Sequence, residues 1–376
     1  MNTMSNMKKI LQLLCLSAMA IVVAACGEKT DDAGELAKLK LTINKSIVQA
    51  NSDDYVEVTV SNADGVITEG LIFIDKKSNK QINVVGGKFY PEKAGEYTFL
   101  ASDGVSSFSD YVTVLAIDHP VPVVPEDAEP DKFVFNKKTL IVQFTSSACV
   151  ACPTMKTVLN EMLEDEVYRN KCVIASSHHD MDGVKDPASY VGGANFEAKL
   201  GVSTYPKLVL DYRSQFELYS GQTISQTVNK LKSDVDRLNE NGLSPAGIAV
   251  NSNGTDLAVV ARTLVKVGAE DDGRWYVGAY LLQDGISGRQ APTNEETVYD
   301  NCIRAIEAGA NYYGYSLGVM SLGETAEHTF VFNKFESNVD VDNCKLLVYV
   351  TCNGVVQNAV VVPIGENVGF DYASVN

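Results

Sequence analysis

Histidine and basic residues are scarce in this sequence. It holds four histidines and eight cysteines among 376 residues, and the cysteines are irregularly spaced. Structural zinc sites need four Cys or His ligands at short, regular spacing, so we expect no metal and no other cofactor. Lysine and arginine number 31 against 48 aspartate and glutamate, a net charge of −17. Nucleic acid binding requires a basic footprint, so nucleic acid is excluded as a partner and the acidity favours solubility.

The N-terminus lacks an apolar run long enough to span a membrane. Residues 10–23 are apolar and follow Lys8 and Lys9, whereas a spanning helix needs about 20 apolar residues. A basic start and a short apolar run are typical of a signal peptide. The run ends Val-Ala-Ala-Cys-Gly, which resembles a bacterial lipobox and implies loss of residues 1–25 and acylation of Cys26. An ordinary secretory signal with an incidental cysteine is the alternative.

We predict that residues 26–35 form a tether. Gly27 is not the aspartate associated with retention in the inner membrane, and Lys29 with nearby acids resembles the surface-export signal of lipoproteins in Bacteroidetes-type bacteria. Two or three acyl chains anchor a protein stably. We therefore expect a lipoprotein of the outer membrane that carries acyl chains such as palmitate. It is expected to face the periplasm or the cell surface.

Residues 36–118 predict an all-β module that contains no cysteine. Val56, Val58 and Val60 alternate with polar residues, so they share one face of a strand. Glycine-rich turn signals separate the strand candidates. The module resembles bacterial immunoglobulin-like (Ig-like) domains, and the resemblance implies a spacer. Residues 119–131 form a linker with four prolines in eleven residues, which favours an extended, semi-rigid chain.

Residues 132–242 contain a cysteine pair between an apolar run and a helical pattern. The run covers residues 140–144, and Cys149, Cys152 and Pro153 follow a short polar turn. Apolar residues then recur at three- and four-residue spacing, which indicates one face of a helix; they are Met155, Val158, Leu159 and Met162. N–H groups at a helix start carry partial positive charge and stabilise a thiolate.

This arrangement resembles the active site of the thioredoxin superfamily. The resemblance implies that Cys149 is the attacking thiol, that Cys152 is the resolving thiol, and that a cis-proline faces the pair. Pro206, at the start of a strand pattern, matches that proline. Gln143 stands where the family usually has a buried acid, and Ala148 stands where it usually has tryptophan. Glutamine cannot move the proton of the second cysteine, so we expect slow resolution.

His178 and His179 follow a second buried-type strand. Adjacent strand residues point to opposite faces, so these two are poor joint metal ligands. One of them could lie near the cysteine pair and adjust its thiolate. The simpler interpretation is a pair of loop histidines at a strand end.

Residues 243–376 predict a second β-sandwich, because strand candidates are separated by Gly, Asn and Asp turns. Cys344 and Cys352 bracket one strand. Eight residues of strand put them roughly 26 Å apart, whereas a disulfide needs Cα atoms within about 7 Å. We therefore predict that Cys302 bonds one of these two cysteines.

The segments 279–285 and 298–305 resemble the C-terminal part of the twenty-eight-kilodalton-related outer membrane protein family. The likeness covers roughly residues 140–362. It implies a fold class of several domains: an all-β Ig-like sandwich, an α/β thioredoxin-like domain and a C-terminal β-sandwich.

Three functions remain open. The first is a thiol–disulfide oxidoreductase at the outer membrane, acting on protein thiols or disulfides. The second is a surface binding protein or adhesin in which the cysteine bridge is inert. The third is a subunit of an envelope assembly that docks other envelope proteins.

Overall fold

The computed structural model describes residues 38–269 and 273–374. The lipobox and Cys26 lie outside this part of the chain. In the part of the chain that the structure describes, the strands amount to 45% and four helices to 13%, so this part is mostly β. Among the described residues, no helix has the length and apolar character needed to cross a membrane.

The strands before the linker are short. They are β1 (Lys40–Ile43), β2 (Ile47–Gln49), β3 (Val56–Asn62), β4 (Gly65–Ile67), β5 (Ile72–Asp75), β6 (Gln81–Ile82), β7 (Val84–Val85), β8 (Lys88–Phe89), β9 (Gly95–Ser102) and β10 (Val112–Ile117).

The middle of the chain contains the four helices. Its elements are β11 (Phe135–Asn136), β12 (Thr139–Thr145), α1 (Cys152–Glu164), α2 (Glu166–Lys171), β13 (Cys172–His178), α3 (Gly193–Lys199), β14 (Lys207–Leu210), β15 (Ser214–Phe216) and α4 (Ile224–Leu238).

The remainder returns to strands, with one 3-10 turn at Val341–Asn343. These strands are β16 (Leu243–Ser244), β17 (Ala246–Thr255), β18 (Ala258–Val267), β19 (Trp275–Gln283), β20 (Ile286–Gln290), β21 (Glu295–Tyr299), β22 (Cys302–Glu307), β23 (Tyr315–Gly318), β24 (Thr325–Phe332), β25 (Cys344–Cys352), β26 (Val355–Pro363) and β27 (Asn367–Val368).

The chain forms two compact units. The first comprises the described part of Met1–Asn44 with Glu57–Phe89 and Tyr97–Thr113, and the second comprises Lys45–Val56, Tyr90–Glu96 and the described part of Val114–Asn376. In the first unit, β3 lies between β1 and β8 in one sheet, and β5 pairs with β6 and β9. The alternation predicted for β3 is confirmed, because its three valines are buried and the residues between them are exposed.

A nine-stranded sheet dominates the second unit. Its order is β15-β14-β12-β13-β22-β19-β25-β26, and β23 pairs with β19. One face of β19 and β25 packs in a core with the four-stranded sheet β24-β18-β17-β27, and the other face packs with residues of β12 and β13. Both central strands are therefore buried on both faces, which explains their nearly continuous apolar sequences.

Helices α1 and α4 cover part of this sheet. Met155, Val158, Leu159 and Met162 of α1 are all buried, as the spacing predicted, and they pack with Ile141 of β12. On α4, an apolar stripe also packs inward; it consists of Val228, Leu231, Val235 and Leu238. Thr223 and Gln226 form a capping box at its start, which fixes where this helix begins.

The predicted fold class is wrong. Residues 38–269 and 273–374 are mostly β, and no separate α/β thioredoxin-like domain is evident among them. The strands β12 to β15, expected to form that domain, lie in one sheet with five strands of the segment expected to be a C-terminal sandwich. The junction is a parallel pairing in which Ser176 of β13 lies opposite Cys302 of β22. Edge pairing between distant segments leaves no periodic signal in a sequence. The predicted domain boundaries stay a prediction.

The predicted disulfide of Cys302 is also wrong. Cys302 and Cys344 are free, buried thiols. Strand β19 separates them, because Gln283 pairs with Cys302 on one side and with Cys344 on the other. Two strand spacings amount to about 10 Å, beyond the reach of a disulfide. Cys352 lies opposite Trp275 at the far end of β19, so the long separation predicted for Cys344 and Cys352 holds.

Candidate functional site

The cysteine pair lies where β12 leads into α1. Cys149 and Cys152 form a disulfide with their Cα atoms 5.4 Å apart, within the ordinary range. All seven residues of β12 are buried, so the strand anchors the loop that follows it. Helix α1 begins at Cys152 with a proline in its first turn, as the sequence predicted. We call residues 146–151 the CxxC loop.

The start of α1 lacks a side-chain cap. Ala151 occupies the N-cap position and makes no side-chain hydrogen bond, and the first turn carries no acidic residue. First-turn N–H groups have no partner within a helix, and they present partial positive charge. A thiolate formed at this end is therefore stabilised, and thiolates are the form of cysteine that exchanges with disulfides.

Pro206 lies at the same end of the sheet as the CxxC loop. The Tyr205–Pro206 peptide bond is cis, as expected. Strand β14 starts one residue later and runs antiparallel to β12, with Lys207 opposite Phe144. Pro206 therefore lies beside Thr145, the last residue of β12. Whether its ring shapes a groove for a partner remains a prediction.

A hairpin formed by β20 and β21 holds the CxxC loop. The side-chain amide of Gln290 donates hydrogen bonds to the carbonyl oxygens of Ser146 and Ser147 at 3.2 and 3.0 Å. The same nitrogen donates to the carbonyl oxygen of Cys149 at 3.1 Å. The Ala291 N–H donates to the Ser147 carbonyl at 2.9 Å. These bonds fix the backbone that carries the first cysteine.

Residues in and next to the CxxC loop differ in solvent exposure. Cys149 and Cys152 are only 3% and 2% exposed, whereas Val150 between them is 65% exposed. A partner can therefore contact the loop at Val150, but a sulfur is reached only after some rearrangement.

A buried carboxylate and histidine support the loop from below. The Ser147 N–H donates to Oδ2 of Asp186 at 2.6 Å, and the Ala188 N–H donates to Oδ1 at 2.8 Å. Nδ1 of His178 lies 3.0 Å from Oδ2. Burial would raise the pKa of Asp186, but the hydrogen bonds and the charge of His178 outweigh it, so this pKa lies below its ordinary value. Asp186 is therefore ionised at neutral pH.

A cavity of about 380 Å³ adjoins Cys152. Gln143, Ser176 and His178 line it from the sheet, and Tyr299 lines it from β21. The hydroxyl of Ser176 donates to Oε1 of Gln143 at 3.5 Å. The position expected to hold an acid in the resembled family therefore does face Cys152 across shared space, but it carries an amide.

The two histidines occupy opposite faces of the sheet, as predicted. His178 lines the cavity next to Cys152, whereas His179 stacks between the rings of Phe144 and Tyr205. Burial lowers the pKa of His179, even though Glu197 lies beside it and acts in the opposite direction. His178 was predicted to be a loop histidine, and it is instead the last residue of β13, 3% exposed.

The remaining predicted cysteine sites lie apart from the pair. Burial raises the pKa of the Cys302 thiol well above its ordinary value and that of Cys344 to about 12. These thiols are poor nucleophiles. Cys26 lies outside the described residues.

Sequence reasoning missed Gln290, Asp186 and Tyr299. For Tyr299 the sequence signal is its place in the segment 298–305, which was noted for its resemblance to an outer membrane protein family. Nothing local marks Gln290 or Asp186, because their contacts cross 141 and 39 residues of sequence.

Comparison with known proteins gives little further guidance. No family model matches the chain. No curated protein matches it. Among solved structures, HBP35 of Porphyromonas gingivalis is similar, with 16% identity, 64% of this chain and 80% of that chain covered, and a TM-score of 0.49. A likeness at this level carries no conclusion about function.

Proposed function

We propose that the protein exchanges thiols and disulfides with other proteins through Cys149 and Cys152. The observation that carries the proposal is the Cys149–Cys152 bridge at the uncapped start of α1. A helix start stabilises the thiolate that exchange needs. Burial raises the pKa values of the thiols of Cys172, Cys302 and Cys344, which favours the cysteine pair as the place of the chemistry.

Exchange proceeds through a mixed disulfide. The thiolate of Cys149 attacks a sulfur of a protein disulfide, and the departing sulfur leaves as a thiolate. The thiol of Cys152 then loses its proton and attacks Cys149, which closes the bridge and releases the partner as a dithiol. The reverse sequence oxidises a protein dithiol with the bridge as oxidant.

Trapping variants test the proposal. Cys152→Ser removes the second step, so it should accumulate covalent, reductant-sensitive complexes with envelope proteins. Cys149→Ser should accumulate none, because the remaining thiol lies toward the cavity. Cys172→Ser, at a buried thiol outside the pair, is the matched control. A lack of complexes with Cys152→Ser, together with a bridge that resists strong reductant, would overturn the proposal.

The proposal includes a lipid anchor in the outer membrane. It is supported by the lipobox that ends at Cys26. Protein isolated from membranes should lack residues 1–25 and carry acyl mass, and Cys26→Ala should release it. A Cys26→Ala protein that remains bound to membranes without modification would contradict the anchor.

An inert scaffold is the second candidate, in which the protein binds surface or envelope partners. The low exposure of both sulfurs and the hydrogen bonds of Gln290 to the CxxC loop favour it. A structural disulfide resists reduction, so the reduction potential of the bridge separates the two candidates.

A further inference from the structure

The second exchange step poses a chemical problem at this site. Cys152 must lose a proton before it attacks Cys149, and it lies at a buried position beside a cavity. Gln143 faces the same cavity but does not titrate. Some other group must accept the proton for resolution to be fast.

We propose that His178, oriented by Asp186, accepts the proton of Cys152 during resolution of the mixed disulfide. This inference rests on the proposed function, because it concerns the second step of that exchange. His178 and Cys152 line the same cavity of about 380 Å³. Its volume admits several water molecules, so a proton can pass from sulfur to imidazole through water.

The sheet register places His178 on the required face. Strands β12 and β13 are parallel, with Gln143 opposite Ser176 and Thr145 opposite His178. Side chains at i and i+2 share a face, so these four residues form one patch beneath α1. His179, one residue further, lies on the other face. The geometry thus assigns the two neighbouring histidines to different environments.

Asp186 fixes the ring of His178 in the useful orientation. The carboxylate receives two backbone N–H groups, from Ser147 and Ala188, so its position is set independently of the histidine. Nδ1 of His178 lies 3.0 and 3.2 Å from its two oxygens. A carboxylate there holds the hydrogen on Nδ1, and this leaves Nε2 as the acceptor.

The other titratable groups around the cavity are engaged or unsuited. Nζ of Lys156 donates to the Val298 carbonyl at 2.7 Å and is already protonated. Burial raises the pKa of Tyr299 to about 12, so its phenol is neutral and a poor base near neutral pH. Oδ1 of Asp300 accepts the Gly285 N–H at 2.9 Å in an exposed turn. His178 is the remaining side chain of the cavity with a ring nitrogen that can accept a proton.

In this step the S–H bond of Cys152 breaks and its proton moves to Nε2 of His178. The new thiolate attacks Sγ of Cys149, the Cys149–partner bond breaks, and the partner leaves as a thiolate that takes a proton from the imidazolium or from water. Two electrons pass from the dithiol to the partner disulfide, which is the oxidant.

Reaction of the reduced protein with a chromogenic aromatic disulfide separates the two steps. Attack by Cys149 releases one coloured thiolate, and attack by Cys152 releases the second. His178→Gln should leave the first phase unchanged and slow the second about 10²-fold, the ordinary worth of a general base. His179→Gln, at the equally buried neighbour on the opposite face, should change neither phase. Gln143→Glu added to His178→Gln should restore part of the second phase, because it places a base in the same cavity.

The outcomes distinguish this inference from the proposed function. Unchanged second phases in His178→Gln overturn the role of His178 and leave the exchange function standing. If the wild-type protein shows neither rapid release of coloured thiolate, both the role of His178 and the exchange function are overturned. If His178→Gln does not fold, Asp186→Asn decides, because it removes the carboxylate that holds the hydrogen on Nδ1 of His178. This variant should slow the second phase relative to the first, and an unchanged second phase overturns the inference.

Discussion

Two cysteine environments of the second unit contrast sharply, although exposure hardly separates them. Cys149 is 3% exposed, Cys302 is 0% and Cys344 is 7%. Cys149 lies in a loop at a helix start and is oxidised. Cys302 and Cys344 lie in adjacent-but-one strands of the nine-stranded sheet, and both are reduced.

Burial raises the pKa values of Cys302 and Cys344, and the local backbone adds to their difference from Cys149. The Sγ of Cys302 donates to the Asp300 carbonyl at 3.7 Å, and that of Cys344 donates to the Asp340 carbonyl at 3.2 Å. Such acceptors favour the thiol form, whereas N–H groups at a helix start favour the thiolate. After reduction, we therefore expect the thiol form at Cys302 and Cys344 and more of the thiolate form at Cys149.

The largest expected effect is a difference between the alkylation rates of Cys149 and Cys344. The pKa of Cys344 rises from 9.0 to about 12, which lowers its thiolate fraction about 10³-fold. After mild reduction, Cys149 should therefore react with a maleimide at least about 10³ times faster than Cys344. Mass spectrometry of timed digests measures both rates.

Unfolded protein supplies the control for that measurement, because both thiols should react at similar rates once the fold is lost. Similar rates in the folded protein would show that the helix start does not activate Cys149. The contrast between the two environments would then have no chemical content.

The two cysteine environments also show which features the sequence predicts and which it does not. The strand, the turn, the helix at Cys152 and the cis bond before Pro206 follow from local patterns, and the structure contains all of them. The predicted bridge of Cys302 failed because strand β19 lies between the candidates. Strand length excluded one pairing correctly, but sheet order is not encoded in strand length.

The fold class failed for a related reason. Local patterns in residues 132–242 predicted both strands and helices correctly, and a separate α/β domain was inferred from them. The exposed or buried state of an edge depends on what pairs with it, and here β13 pairs with β22 from a distant part of the chain. Gln290 and Asp186 were missed for the same reason, since their partners lie far along the sequence.

Gln290→Ala should give the next largest effect. The change removes the amide that donates to three carbonyls of the CxxC loop. Loss of these bonds should cost the loop about 1.4 kcal/mol, within the usual range for hydrogen bonds. The bridge should therefore be reduced about tenfold faster by dithiothreitol, as followed by thiol titration.

A second glutamine provides the control. The Gln215 amide also donates to backbone carbonyls, those of Leu200 and Gly201, but they lie outside the CxxC loop. Gln215→Ala should leave the reduction rate unchanged. Equal acceleration by both variants would contradict a specific role for the hairpin.

Cys302→Ala should affect stability and leave the pair untouched. Cys302 is fully buried in a small cluster with Ala188 and Tyr299, and removal of its sulfur leaves a small cavity. We expect a loss of about 1 kcal/mol in the free energy of unfolding, measured by urea denaturation. The reduction rate of the Cys149–Cys152 bridge should stay within twofold of wild type. A tenfold change in that rate would mean that the two environments are coupled.

Acid should give the smallest effect, through the carboxylate that supports the loop. The pKa of Asp186 is lowered in the folded protein, so its contribution to stability is present above its unfolded pKa, about 3.9, and is lost as pH falls through the folded value. Once the pH is below the folded pKa, protonation removes the charged acceptor of the Ser147 N–H. The bridge should then be reduced a few times faster by a phosphine, which acts at low pH.

Asp186→Asn tests this directly, because it carries no titrating group at that position. Its bridge should be reduced faster than that of wild type at pH 6, and the rate should change less on going to pH 3. The control is Asp103→Asn, since the pKa of Asp103 is also lowered, to about 2, by backbone hydrogen bonds in the first unit. That variant should lose stability near neutral pH, where the Asp103 carboxylate is ionised, without any change at the bridge. The same acid dependence in Asp186→Asn and wild type would mean that some other group senses pH at the CxxC loop, and the contrast between the two cysteine environments would then rest on the helix start alone.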